Sequence, residues 1–206
     1  MKTLLLKDFY MLKTHFIILF GMSLIAIVLS FVTSFGAGLA FPIVFVAVMV
    51  LGNLMTLDQQ FKWERVVCTL PIETEKLILS KYFLASIVAI FPATVAVAVL
   101  WFSVHDTPNF ILPLWALIVA SILFIAAITL PASIRFGQEK GRLVMVLVFL
   151  IPWLLCIKFV DTPMVRDFLN NPGDLLWLSY LYLGFVILLI IISYYISVKI
   201  YKKQDW

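Results

Sequence analysis

Side chains suited to bond-making chemistry are sparse in this chain of 206 residues. Cys68 and Cys156, its two cysteines, make neither a disulfide framework nor a metal-ligand spacing. His15 and His105 stand too far apart in sequence to form a motif. No H-E-x-x-H, no G-x-S-x-G and no paired carboxylates within an apolar run occur, so an embedded enzyme would lack convergent catalytic groups. The phosphate-cradling pattern G-x-x-x-x-G-K-[ST] is also missing, so the chain does not hold a nucleotide by that device. The informative polar residues gather in two short segments, 58–81 and 133–142. Their chemistry is recognition rather than catalysis.

In the first segment Asp58 can cap a helix. Trp63, Val66, Val67 and Leu70 then fall at i, i+3, i+4 and i+7, with Gln60, Glu64, Arg65 and Cys68 largely on the other side. Leu70-Pro71 ends that helix, and Pro71 can open another because a first-turn proline forfeits no helical hydrogen bond. Glu73 and Glu75 sit in the early turns, where the helix dipole favours acid, and the helix runs through Lys76 and Lys81 into the next apolar run. A short amphipathic helix of this kind can press on a partner protein; a solvated loop is the competing reading. In the second segment Gly137 reads as a helix stop and Gly141 as a helix-break position. Glu139-Lys140 reads either as a docking pair or as solvated charge.

The elements that must carry these segments follow from composition. Hydrophobic residues make up 64% of the chain and charged residues 13%, with a mean hydropathy of +1.13. Soluble domains average about 25% charged residues, and a globule of this size could not hide so much apolar surface from water. Disorder is excluded by the same numbers. The solvent is lipid. The net charge of +4 comes from basic residues between apolar runs, where topology determinants belong, and does not point to nucleic acid.

A membrane-crossing helix needs about 20 mostly apolar residues. Six segments qualify: 16–35, 39–57, 82–102, 111–132, 143–160 and 176–198. The fold expected is therefore an all-α polytopic membrane protein of six transmembrane helices in a single domain spanning 1–206. Pro152 interrupts the fifth span and Lys158 lies at its end. Charges at Lys7, Asp8 and Lys13 break the opening Leu run, so no cleavable leader is expected. Leu5, Phe9, Leu12 and Phe16 share one helical face there. That stretch reads as an N-terminal interfacial helix or as a continuation of the first span with snorkelling lysines.

With both termini inside, thirteen of the fifteen Lys and Arg residues fall on the cytoplasmic side, leaving Lys158 and Arg166 outside. That bias favours an even number of spans. The outer connections, including Asn170-Asn171-Pro172-Gly173, read as turns.

No charge lies near a span centre, which argues against carboxylate-driven secondary transport and a voltage sensor. Ser86, Thr94, Ser121, Thr129 and Ser193 are expected to bond backbone carbonyls or join helices. Ala85, Ala89 and Ala93 form a small-residue seam for close packing. Pro92, Pro113, Pro131 and Pro152 are candidate kinks. Trp177, Tyr180, Tyr182, Tyr194, Tyr195, Tyr201 and Trp206 bracket the last span like an interfacial belt.

Trp63-Glu64-Arg65-Val66-Val67-Cys68-Thr69-Leu70-Pro71-Ile72, followed by Leu79-Ser80-Lys81-Tyr82, resembles the first cytoplasmic loop of type-2 ABC transporter permeases. Arg135-Phe136-Gly137-Gln138-Glu139-Lys140-Gly141-Arg142 resembles the second loop of a compact bacterial branch, and Leu4-Leu5-Leu6-Lys7-Asp8-Phe9-Tyr10 is similar to starts in that branch. The three motifs occur in the expected order, and with the six-span layout the resemblance covers essentially the whole chain.

The resemblance implies the permease subunit of an ATP-driven exporter in a bacterial cytoplasmic membrane. It further implies pairing with a second permease copy or a related permease, and with two separate ATPase subunits that would hold the ATP and Mg. Its inner loops would be coupling helices docked on the ATPase. Carried over, the coupling residues are Trp63, Glu64, Arg65, Leu70, Pro71 and Lys81 in the first loop, and Gly137, Glu139, Lys140, Gly141 and Arg142 in the second. The hydrophobic Val66-Val67-Cys68, where relatives often vary, is a departure. The aromatic and hydroxyl content of the spans suits an amphipathic or hydrophobic cargo such as a peptide, lipid-like molecule or drug. A noncatalytic membrane scaffold or sensor is the alternative function.

Overall fold

The computed structural model describes residues 6–10, 13, 17–18, 20–22, 24–25, 28, 44–50, 52, 74–103, 111–159 and 172–203. All of them are helical except Gly137. Four long helices carry most of the structure: α1, Thr74–Ser103; α2, Ile111–Phe136; α3, Gln138–Phe159; and α4, Pro172–Lys203. Within them, Thr74–Val99, Ile111–Phe136 and Leu176–Lys203 are each long and apolar enough to cross a membrane. At 1.5 Å per residue a 26-residue helix exceeds the roughly 30 Å hydrocarbon layer, so the polar first turns of α1 extend beyond it.

Each helix overruns the span expected from hydropathy. α1 begins at Thr74 with Glu75 in its first turn and runs through Lys76 and Lys81 into the span, as expected. α2 continues past 132 to Phe136, through Pro131. α3 starts at Gln138 and runs through Pro152 without interruption. The expected 133–142 loop therefore shrinks to one residue. Asn170–Gly173, expected as a turn, is corrected at its far end: Pro172 opens α4, where its fixed φ and missing N–H are tolerated.

A run of alanines marks part of the covered face of α1. On α1 the seam of Ala85, Ala89, Ala93 and Ala96 is buried to 1% exposure or less, while Leu79, Phe83, Ile87, Ile90 and Phe91 stand exposed on the opposite side. Leu143, Leu147, Leu150, Ile151 and Leu154 form a similar exposed stripe on α3. Stripes this large would promote aggregation in water and suit an apolar surrounding.

α2 is the hub. It packs on α1, α3 and α4, and α1 also touches α4. Ile122, Ala126 and Leu130 of α2 join Ile78, Tyr82, Ala85, Val88 and Ala89 of α1 and Val198 of α4, with Ala47 and Val50 from helical residues 44–50. Ile125 of α2 meets Met145 of α3 together with Val48, and Phe45 sets its ring edge-on to Phe149 at 5.7 Å.

Candidate coupling face

The N-terminal end of α1, the C-terminal ends of α2 and α4, and the start of α3 lie together at one end of the bundle. Glu75 binds Lys202, Tyr82 binds Ser193 and Ser197, and Arg135 shares a groove with Lys199 and Lys203. Basic residues that the charge pattern assigns to one side of the membrane thus meet at one end.

The sharpest feature there is the turn between α2 and α3. Gly137 has φ of 79°, a left-handed conformation that costs a residue with a Cβ about 1–2 kcal/mol. Its N–H donates to Ser133 O at 3.1 Å, and Gly141 N–H donates to Gly137 O at 3.0 Å. The helix stop expected at Gly137 is the one observed. The helix break read at Gly141 is corrected: α3 passes through it. What that glycine provides is proximity, since an added Cβ would stand 2.5 Å from Ser133 Oγ and 2.9 Å from its Cα. Two glycines four residues apart therefore have separate functions, one conformational and one steric.

Lys81 is buried, and its Nζ lies 3.0 Å from Asp8 Oδ1. Lys7 also reaches that oxygen at 3.0 Å. Burying an ammonium is tolerable only with such a partner, so Lys81 fastens the helical residues 6–10 to α1 rather than presenting its charge outward. Glu75 and Lys202 form an exposed clasp of 2.8 Å between α1 and α4, and the Lys202 ammonium holds the Glu75 carboxyl below its ordinary range. Tyr194 Oη donates to the Glu75 carbonyl at 3.4 Å.

Below this tier Tyr82 Oη lies 2.6 Å from Ser193 Oγ and 2.9 Å from Ser197 Oγ. Ser193 Oγ donates to the Ala127 carbonyl. One hydroxyl cluster thereby ties α1, α2 and α4, with Tyr194 packed edge-on to Tyr82 at 5.9 Å. Ser86, Thr94 and Thr129 bond inside their own helices, as expected, to Tyr82 O, Phe91 O and Ile125 O, while Ser121 donates to Leu117 O and also meets the Tyr182 hydroxyl of α4.

Of the residues that the resemblance suggests for coupling, Trp63, Glu64, Arg65, Leu70 and Pro71 lie outside the described residues. Gly137, Glu139, Lys140, Gly141 and Arg142 are brought together at the α2–α3 turn, with Lys140 exposed and Gly141 buried. Lys81 stands apart from them in its ion pair. Sequence reasoning missed Asp8 as the partner of Lys81, although an acid among lysines in an apolar stretch was a visible signal. It also missed that Ser193 and Ser197, at i and i+4, face one tyrosine. Among the described residues no cluster of His, Cys, Asp and Glu could hold a metal ion.

No curated protein and no solved structure matches the chain. A family described as ABC-2 family transporter protein matches residues 3–202, nearly the full sequence and all of the bundle but Lys203. The two inner-loop motifs, the apolar helices and the shared polar end all lie within that match, and the chain belongs to the type-2 ABC transporter permease family.

Proposed function

We propose that this chain is the membrane-spanning permease subunit of an ATP-driven exporter. It crosses the membrane six times with both termini cytoplasmic and works as a dimer with two ATPase subunits. The observation that supports this reading most strongly is the family match across residues 3–202. The gathering of basic helix ends on one face fits the same topology. The chain lacks a phosphate-cradling motif, so hydrolysis of ATP belongs to the partner. The 58–70 segment and the α2–α3 turn are its coupling elements, and the cargo is amphipathic or hydrophobic.

Glu64 is the residue on which coupling is proposed to turn, pairing with a basic group of the ATPase. Truncating one partner of a half-buried interfacial charge pair costs about 2–5 kcal/mol, against roughly 0.5 kcal/mol for a solvated charge. The test is co-purification with the ATPase followed by mass measurement, with Glu64→Ala assayed in the same complex. A 2:2 assembly is expected, and the variant should express normally while transport uncouples from hydrolysis. A permease that never associates with an ATPase under mild extraction would refute the assignment; unchanged transport in Glu64→Ala would remove that residue alone. Topology is read separately: single cysteines near residues 36, 106 and 170 should label from outside intact cells, and one near 139 should not.

A further inference from the structure

At the polar end of the bundle a groove of about 460 Å³ opens between α2 and α4, lined by Arg135, Ile196, Lys199, Ile200 and Lys203. Ile196, Lys199, Ile200 and Lys203 fall at i, i+3, i+4 and i+7, so α4 presents them on one side. Arg135, in the last turn of α2, supplies the opposite wall and rests its guanidinium 5.2 Å from the centre of the Phe136 ring. None of the ion pairs among the described residues involves Arg135, Lys199 or Lys203. Three cations thus face one cleft, with no carboxylate lining it among the described residues.

The lining is graded along α4. Lys199 and Lys203 are at the helix end, Ile196 is 47% exposed one turn deeper, and Ile192, Leu188 and Phe185 continue as an exposed apolar track. A free anion or an acidic protein loop would match the charges and leave the track unused. An amphiphile with an anionic phosphate head and acyl tails matches both. We propose that this groove is a binding site for an anionic phospholipid, with the phosphodiester held by Arg135, Lys199 and Lys203 and an acyl chain lying along Ile196, Ile192 and Leu188. Basic clefts at the polar ends of membrane helices recognise lipid head groups by this combination. Arg135 offers the planar, multi-donor fork suited to phosphate oxygens, and the lysines add point charges. The proposal holds whichever side of the membrane this end faces.

The test is native mass spectrometry of the full chain extracted in mild detergent and supplied with dioleoyl-phosphatidylglycerol or dioleoyl-phosphatidylcholine. Wild-type protein should retain the anionic lipid in preference to the zwitterionic one. Each groove cation is worth about fivefold in affinity, so Lys199→Gln should weaken retention by about that factor and the Arg135→Gln/Lys199→Gln/Lys203→Gln variant by more than about tenfold. Lys202→Gln, which removes an equal charge at the same helix end but outside the groove, should stay within about twofold of wild type. If the triple variant does not purify, Ile196→Asp at an exposed position places a negative charge beneath the phosphate and should likewise abolish the preference. Equal losses in Lys202→Gln, or undiminished retention in the groove variants, would overturn the site. Displacement of the lipid by millimolar inorganic phosphate would reduce it to a simple anion site, and a lipid-free groove cross-linked to an acidic protein in native membranes would assign it to a different occupant.

Discussion

Lys81 and Asp8, seventy-three positions apart in sequence, meet in a buried ion pair of 3.0 Å, and Lys7 approaches the same carboxylate oxygen from a more exposed position. Asp8 therefore has two cations. Breaking a buried pair by removing one partner costs about 3–5 kcal/mol because the other charge is left uncompensated. Asp8→Asn is expected to destabilise, and Lys81→Met to cost less because Lys7 still faces Asp8. Thermal unfolding in detergent of the two single variants and the double variant checks the order. A double variant that loses less than the sum of the two singles is part of the expectation, since the pair couples them.

The two turn glycines should fail in different ways. Gly137→Ala meets no neighbour within 4 Å, so its cost is conformational alone, about 1–2 kcal/mol, and Gly137→Asn should recover part of it because asparagine tolerates the left-handed region. Gly141→Ala forces α3 off α2 and should cost about 1–3 kcal/mol through overpacking. Shortening the opposing side chain with Ser133→Ala should not rescue it, because the Ser133 Cα is itself 2.9 Å from the new Cβ. Melting temperatures of the five variants, with the Gly141→Ala/Ser133→Ala double mutant as the fifth, separate the two mechanisms.

Tyr82→Phe removes one hydroxyl and with it both bonds to Ser193 and Ser197. Hydrogen bonds between membrane helices are modest, about 0.6 kcal/mol on average and up to about 1.7. A loss of about 1 kcal/mol in stability is expected, with Ser197→Ala nearly silent in the Tyr82→Phe background. A double-mutant cycle reads that coupling.

The Glu75–Lys202 clasp is exposed and should matter little at neutral pH. Its small contribution has a definite pH dependence. The Glu75 carboxyl is held below its ordinary value of 4.5 in the folded protein, so the stabilisation is present above 4.5 and disappears as pH falls through the lowered folded value. Wild type and Glu75→Gln should therefore converge in melting temperature on acidification below 4.5. Added salt at neutral pH should narrow the same difference.

Lipid-embedded helices were legible from hydropathy, while their boundaries and faces were not. A hydropathy window stops where charge begins, yet helix does not: the acid early-turn signal at Glu75 marked the helix ahead of the span in α1, whereas Arg135 continues α2 with no such signal. In water the polar side of a helix marks its outer face, but here both sides are apolar and that signal vanishes. What survived was residue size, which is why Ala85, Ala89 and Ala93 could be placed inward. Long-range pairs such as Lys81 with Asp8, or Tyr82 with Ser197, depend on how helices rotate against one another, and a single sequence carries no direct record of that. The motif at 135–142 marked the α2–α3 turn as a unit, but only the backbone shows that one of its glycines sets a dihedral and the other sets a distance.

The connection between α2 and α3 is a single residue, and a residue has two soft dihedral angles. Two long rigid bodies joined through so few freedoms cannot slide along each other's axes by even one helical turn of 5.4 Å. The motion left to them is rotation about Gly137, further narrowed by the contact of Gly141 with Ser133. A push delivered to the first turn of α3 must therefore reach α2 as a torque, and α2 touches every other long helix of the bundle. The turn is a short crank on the shaft around which the remaining helices are arranged.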